Sequence, residues 1–337
     1  MVTEQQIKES LEDILVPGAM RSLVKLNLVR QIAVSDRKVD ITLVSAALDP
    51  GAQDWLKSKV SDTVGKLAGV SQINVNFVPA APKEINDVGN VIAVMSGKGG
   101  VGKSLVAALL SIALARHGKD AGILDADITG PSIPKIFGLG GTRPRSSESG
   151  ILPVLSKLGI SVMSINLLLE HEDDAIIWRG PIISKVIQQF WEDVVWGKLD
   201  YLIVDLPPGT ADAPLTVLQT IPVSGIVIVF SPQELAAMVV KKAVRMAEQL
   251  HIPILGVVEN MSYFTPPGST KKLELFGKSR SQEMSEVTGA PLLAQIPIDP
   301  ELSKLCDQGK IERYSSKLFD KLSRNFIQAL PIKSKQT

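Results

Sequence analysis

The segment Gly97-Lys98-Gly99-Gly100-Val101-Gly102-Lys103-Ser104 limits what this 337-residue chain can fold into more than any other. It follows a short aliphatic run at 91–95 and leads into a helical pattern at 101–115, so it satisfies G-x-x-x-x-G-K-[ST] in strand–loop–helix context. Glycines let the backbone turn so that successive N–H groups point inward, and the helix N-terminus adds its partial positive charge. Such a loop binds phosphate: Lys103 supplies a full charge to the β- and γ-phosphates, and the Ser104 hydroxyl suits Mg²⁺. Lys98 brings a second ammonium, able to stabilise charge that develops during transfer.

The pattern around the loop extends this to a fold class. Aliphatic runs at 91–95, 121–124, 161–165, 201–204, 226–230, 254–258 and 292–296 alternate with helical segments, clearest at 101–115, 184–195, 233–250 and 318–330. That alternation predicts an α/β P-loop NTPase domain with a mainly parallel sheet over 91–331. Before it, residues 1–78 read as a small α+β domain: a helix at 4–14, a strand pair turning at 35–38, a helix at 52–67, and a strand alternating at Ile73, Val75 and Phe77. Two prolines among small residues, Pro79 and Pro82, make 79–90 a short, stiff linker. Hydrophobic residues make up 45% of the chain and aromatics 4%, which fits an aliphatic core around a buried parallel sheet.

Parallel sheets bind ligands at the carboxyl ends of their strands, so the residues just after each strand are the candidates. Asp125 and Asp127 stand two apart after the second of these runs, where both carboxylates can face one side. Asp127 is assigned to orient the attacking water and Asp125 to the metal shell. Asp205 closes the apolar run 201–204 as a Walker B acid. Pro207 and Pro208 lack an N–H, so Gly209 offers the first amide able to approach the γ-phosphate. Asn260 follows another strand and can either read an adenine edge or cap a turn; Pro297 and Asp299 follow the last strand and complete the expected base pocket.

Together these residues resemble the Mrp (ApbC-like) family, iron–sulfur cluster carrier ATPases of the deviant-Walker group that includes MinD and ParA. The stretches that carry the resemblance are 96–104, 124–132, 177–181 (Ile-Trp-Arg-Gly-Pro), 200–212 and 254–264, while residues 1–78 look like the small iron–sulfur-assembly domain often fused ahead of such an ATPase. The resemblance implies slow hydrolysis of Mg-ATP to ADP and phosphate, a homodimer with nucleotide between subunits, and Lys98 reaching the partner's phosphates. It also implies adenine contact by Asn260, a 4Fe–4S cluster, and iron–sulfur apo-protein clients or assembly factors. Where the family commonly carries Cys-x-x-Cys, this chain reads Thr265-Pro266-Pro267-Gly268, and Asp49-Pro50 stands near the small domain's usual cysteine. Four thiolates usually hold such a cluster, and two copies of this chain bring only two copies of Cys306, which speaks against cluster binding by the usual route. A cluster-free, nucleotide-dependent partner switch is the alternative, and a membrane-positioning ATPase a third.

The rest of the chain is read more plainly. With 36 basic and 35 acidic residues there is no nucleic-acid footprint and no polybasic membrane surface. Residues 1–10 lack the basic and apolar segments of a signal peptide, and the expectation is a cytoplasmic enzyme. His117, His171 and His251 show no metal-ligand spacing; Trp178, Trp191 and Trp196 suit packing. The stripe Leu318, Leu322, Phe326 and Leu330 is expected to cover the sheet rather than lie on a membrane.

Overall fold

The computed structural model describes residues 2–128, 130–169, 180–233 and 236–331; His171, Trp178 and most of the motif at 177–181 lie outside them. The chain divides into two compact units.

The first contains Met1–Val88 together with Arg143–Leu155 and Gln189–Leu199. Helix α1 (Glu4–Leu11) starts at a reciprocal cap, in which the Thr3 hydroxyl accepts from the Gln6 amide and the Gln6 side chain accepts from the Thr3 amide. Strands β1 (Val29–Ser35) and β2 (Lys38–Val44) form the expected antiparallel hairpin, with Asp36 in the left-handed region at the turn. Helix α2 (Pro50–Val64) begins on the Asp49 carboxylate, which accepts from the Ala52 amide at 2.8 Å, and carries the chain to β3 (Gln72–Val78), parallel to β2. The core includes Ile7, Leu11, Leu43, Leu56 and Val60, and also Leu152 and Val195 from much later in the chain. Those later segments carry the short strands β6 (Ser146–Ser147), β7 (Gly150–Ile151) and β8 (Val154–Leu155). The Asn86 amide donates to Val194 O and accepts from Gly197 N, and Arg21 donates to the carbonyls of Trp196 and Lys198. Trp196 is wholly buried, its indole N–H on Phe190 O, so the packing role read for it is what the structure shows.

The polar residues that read as the end of a linker are already structured. Helix α3 (Pro82–Ile85) is followed at once by β4 (Asp87–Ser96), which starts four residues before the apolar run because the Asp87 amide finds Gly197 O.

In the second unit α4 (Lys103–Arg116), β5 (Ala121–Asp125), α5 (Ile133–Phe137), β9 (Ser161–Ser164), α6 (Gly180–Glu192), β10 (Lys198–Asp205), α7 (Asp212–Thr220), β11 (Gly225–Phe230), α8 (Ala236–Gln249), β12 (Ile254–Asn260), α9 (Ser281–Thr288), β13 (Leu292–Ile296), α10 (Pro300–Asp307) and α11 (Lys317–Ala329) follow in order. The sheet runs β13-β12-β11-β4-β10-β5-β9, and the registers of β5 with β9 and β10, and of β11 with β4 and β12, are parallel. This is the α/β P-loop architecture expected from the alternation. The chain goes from β4 to β5 and β9 on one side and, after β10, crosses past β4 to β11, β12 and β13 on the other, so the crevice at the carboxyl end of β4 is the switch point where ligands bind. Helix α4 is apolar nearly all round and buried from Val106 to Leu114, as befits a helix covered on two sides. One of its covers is α11, whose buried face is Phe319, Leu322, Ser323 and Phe326 over β12, β13 and α4. The stripe therefore covers the sheet, with Phe319 taking the place that Leu318 was expected to fill. No helix of the described residues is long and apolar enough to cross a membrane.

Candidate functional site

Strand β4 ends at Ser96 and the chain turns through Gly97 to Gly102 before α4 begins at Lys103. Gly100 and Gly102 hold φ of +78° and +81°, a conformation that side chains resist, so the turn needs glycine at both places. A Cβ on Gly102 would also stand 2.1 Å from the Asn260 side-chain nitrogen.

The sequence-assigned carboxylates converge behind this loop. The Lys103 ammonium, 5% exposed, sits 2.6 Å from Asp205 Oδ1 and 3.6 Å from Asp127 Oδ2. Asp205 Oδ2 is buried without a hydrogen-bond partner, and the Ser104 hydroxyl lies against the same carboxylate. Burial raises the Asp205 carboxyl, and the Lys103 charge pulls it back. Asp125 is wholly buried; desolvation, then the nearby Asp205 charge, push its pKa up to about 7. Its oxygens accept from the amides of Asp127, Ser132 and Ile133 at 3.1–3.3 Å and from the Ser164 hydroxyl at 3.2 Å. Asp125 thereby shapes the turn that carries Asp127.

A magnesium ion fits what is here. An orphaned buried carboxylate oxygen beside a serine hydroxyl is the donor set such an ion takes, with phosphate and water completing its octahedron. Among the described residues no three His, Cys, Asp or Glu side chains gather as a metal site.

The remaining candidates are placed as follows. The Gly209 amide donates to Ser96 O at 2.9 Å, with φ of +100° and open space where a Cβ would be. Lys98 is half-buried and its ammonium rests on the Gln233 side-chain oxygen, just after β11. Asn260, 2% exposed, donates to Val101 O at 2.8 Å and so braces the loop from β12. Asp299 caps α10, accepting from the Glu301 and Leu302 amides, and its other oxygen accepts from the Tyr314 hydroxyl at 2.8 Å. Asn260, Pro297 and Asp299 nevertheless line one mostly apolar cavity of 410 Å³ beside the loop, with Leu105, Phe276 and Cys306 among its other walls.

Two polar side chains, one wholly buried and one half-buried, escaped the sequence reading. Glu259, wholly buried, accepts from the hydroxyls of Ser262 and Ser279, the Arg280 amide and the Gln295 side chain at 2.6–3.0 Å. It anchors both ends of the excursion between β12 and α9. Its signal was only a glutamate at the end of an apolar run. Gln233 had no signal beyond following a strand.

Cys306, the chain's one cysteine, is half-buried in α10, and burial, then Asp307, push its thiol up to about 11. Only thiolate alkylates or binds iron. Iodoacetamide labelling of Cys306 is thus expected to climb about tenfold per pH unit from 8 to 10. A plateau by pH 9, read by mass spectrometry, would mark it as an ordinary solvated thiol.

Comparison with known proteins follows the same division. Residues 87–330 match the ParA family model described as NUBPL iron-transfer P-loop NTPase, and residues 4–76 match that of an iron–sulfur cluster assembly protein. An iron–sulfur cluster carrier protein of Aquifex aeolicus is 39% identical, over 92% of this chain and 90% of its own. A nucleotide-binding protein of Archaeoglobus fulgidus, solved in complex with ADP, is 48% identical with a TM-score of 0.64, covering 71% of this chain and 94% of that one. The septum site-determining protein MinD of Pyrococcus horikoshii, solved with Mg-ADP, shares the fold at 21% identity and a TM-score of 0.51, over 74% of this chain and 99% of its own.

Proposed function

Because the chain belongs to the ParA-type, NUBPL-like family of iron-transfer P-loop NTPases, we propose that it binds Mg-ATP in the β4–α4 loop and hydrolyses it slowly as the switch of an iron–sulfur cluster carrier. The observation that carries this reading is the Lys103 ammonium held 2.6 Å from Asp205, beneath a loop turned by two left-handed glycines.

We propose the following roles. Loop amides from Gly97 to Ser104 cradle the phosphates, with Lys103 at the β- and γ-phosphates. Ser104, Asp205 and, behind them, Asp125 would hold magnesium, which when bound neutralises charge on the phosphate oxygens. Asp127, at the edge of the cluster, accepts from and orients the attacking water. For Gly209 to meet the γ-phosphate its amide must leave Ser96 O, and that exchange gives the loop after β10 two states. The base occupies the cavity of Asn260, Pro297 and Asp299, where one Asn260 side-chain N–H is given to the loop and the second N–H and the side-chain oxygen remain to meet an adenine edge. The active form is a homodimer in which Lys98 reaches the partner's phosphates, and turnover without partners is on the order of 10⁻⁴ to 10⁻² per second. The family-type division into 1–78, a linker at 79–90 and an ATPase at 91–331 is part of the same reading.

The cargo is an iron–sulfur cluster passed to apo-protein clients or assembly factors. One observation favours a second reading, a cluster-free switch that binds partners when ATP is bound: the single thiol sits half-buried with its pKa pushed to about 11. Anaerobic reconstitution with iron and sulfide separates the two. Carriage predicts stoichiometric iron and activation of an apo-protein, with iron retained unless Cys306→Ala removes it. Iron-free protein that captures partners only with non-hydrolysable ATP selects the switch, and absence of Mg-ATP uptake in calorimetry overturns both.

A further inference from the structure

The phosphate loop is touched at two consecutive residues by the segment that follows β11. The Lys98 ammonium rests on the Gln233 side-chain oxygen, and Gly97 lies so close to α8 that a Cβ there would meet Val239 Cγ1 at 1.3 Å. The Ser96 hydroxyl, on the strand beside β11, donates to Lys98 O at 3.0 Å and fixes the lysine's backbone. What varies is therefore the side chain.

Its partner is chemically telling. A glutamine oxygen is a neutral acceptor, whereas the neighbouring Lys103 is held by carboxylates. A lysine paired with a neutral amide is ordered without its charge being cancelled, and a triphosphate outcompetes that amide as an acceptor. Among the described residues no carboxylate stands within ion-pair distance of Lys98.

We infer that Gln233 is a positioning residue that parks Lys98 in the nucleotide-free chain and releases it to phosphate, so that this side chain sets the threshold for the lysine's transfer. The inference rests on the reading that Lys98 meets a triphosphate. Glutamate at this position would cancel the charge and hold the lysine back; leucine, similar in size, would leave it loose. The residue acts through Lys98 and touches no reacting atom.

Two readouts test it. Acetylation of Lys98 in the nucleotide-free protein, measured by mass spectrometry at limiting reagent, reports parking without any turnover. Relative to wild type it is expected to rise about fivefold in Gln233→Leu and fall about fivefold in Gln233→Glu. Mg-ATP hydrolysis per subunit, measured against protein concentration, reports release. Its midpoint is expected to fall about tenfold in Gln233→Leu and rise about tenfold in Gln233→Glu, with the rate at saturating protein unchanged. In a Lys98→Ala background the two Gln233 variants should be indistinguishable. Equal Lys98 labelling in all three proteins overturns parking; shifted labelling with a constant midpoint overturns the threshold role. If wild type shows no Mg-ATP turnover, the ATPase reading fails, and labelling alone still decides whether the lysine is parked.

Discussion

Lys103→Ala is expected to abolish measurable Mg-ATP uptake, weakening affinity by about a hundredfold or more, roughly 3 kcal/mol, in calorimetry. The same change strips the cation from a buried group of acids, since Lys103 Nζ lies 2.6 Å from Asp205 and 3.6 Å from Asp127. Leaving such charges unpaired costs about 3–5 kcal/mol of stability, visible in urea denaturation of the metal-free variant. The pH dependence separates electrostatics from lost packing. Asp125 already has its folded pKa raised from 3.8 to about 7, so its contribution to stability is complete below about pH 4 and is lost as pH rises through 7. Without the ammonium, Asp125 and Asp205 lose the charge that pulls their pKa values down, and that window moves upward. The stability gap between variant and wild type should therefore be wide at pH 8 and narrow toward pH 5. An equal gap at both values would mean that Lys103 contributes by packing alone.

Asp127→Ala is expected to keep ATP bound and all but stop its hydrolysis, with turnover falling on the order of 10²- to 10⁴-fold. Asp127 differs from its neighbours in exposure. Asp205 grips Lys103, and Asp125 is enclosed by backbone amides and Ser164, whereas the Asp127 carboxylate stands 3.6 Å from the ammonium, at the outer edge of the group. Its side chain is 12% exposed, where Asp125 and Asp205 are wholly buried, so a water can approach its carboxylate. Retained affinity with lost turnover, followed by filter binding and phosphate release on the same sample, is the signature of a water-orienting group. If the alanine variant turns over normally, water is oriented by some other residue.

What could be read from the chain was what is encoded locally. The phosphate loop is a contiguous string between a strand and a helix; Asp125 and Asp205 each end an aliphatic run and Asp127 follows two residues on, so their convergence follows once the sheet is parallel. Hidden features depend on partners far away in sequence. Asn260 donates to a carbonyl 159 positions earlier, Lys98 finds Gln233 across 135, and Glu259 gathers groups from 262 to 295. No periodicity records such pairs. Asp299 shows a subtler case: it was expected beside the base pocket and does line the cavity, but its Asp-Pro start is also a plain helix-cap signal, and the structure uses it as one.

The composition of the first compact unit bears on how the chain comes to be folded at all. Leu152 and Val195 complete a core begun by residues as early as Val2, and Asn86 and Arg21 close on carbonyls from 194 to 198. A ribosome must therefore deliver about the first 199 residues before this unit can reach its final packing, although its two sheet registers and first helices are local and can form early. Until then the emerging leading segment exposes part of an aliphatic surface. A graft of the leading 88 residues onto another protein would inherit the same gap unless the two later stretches travel with it.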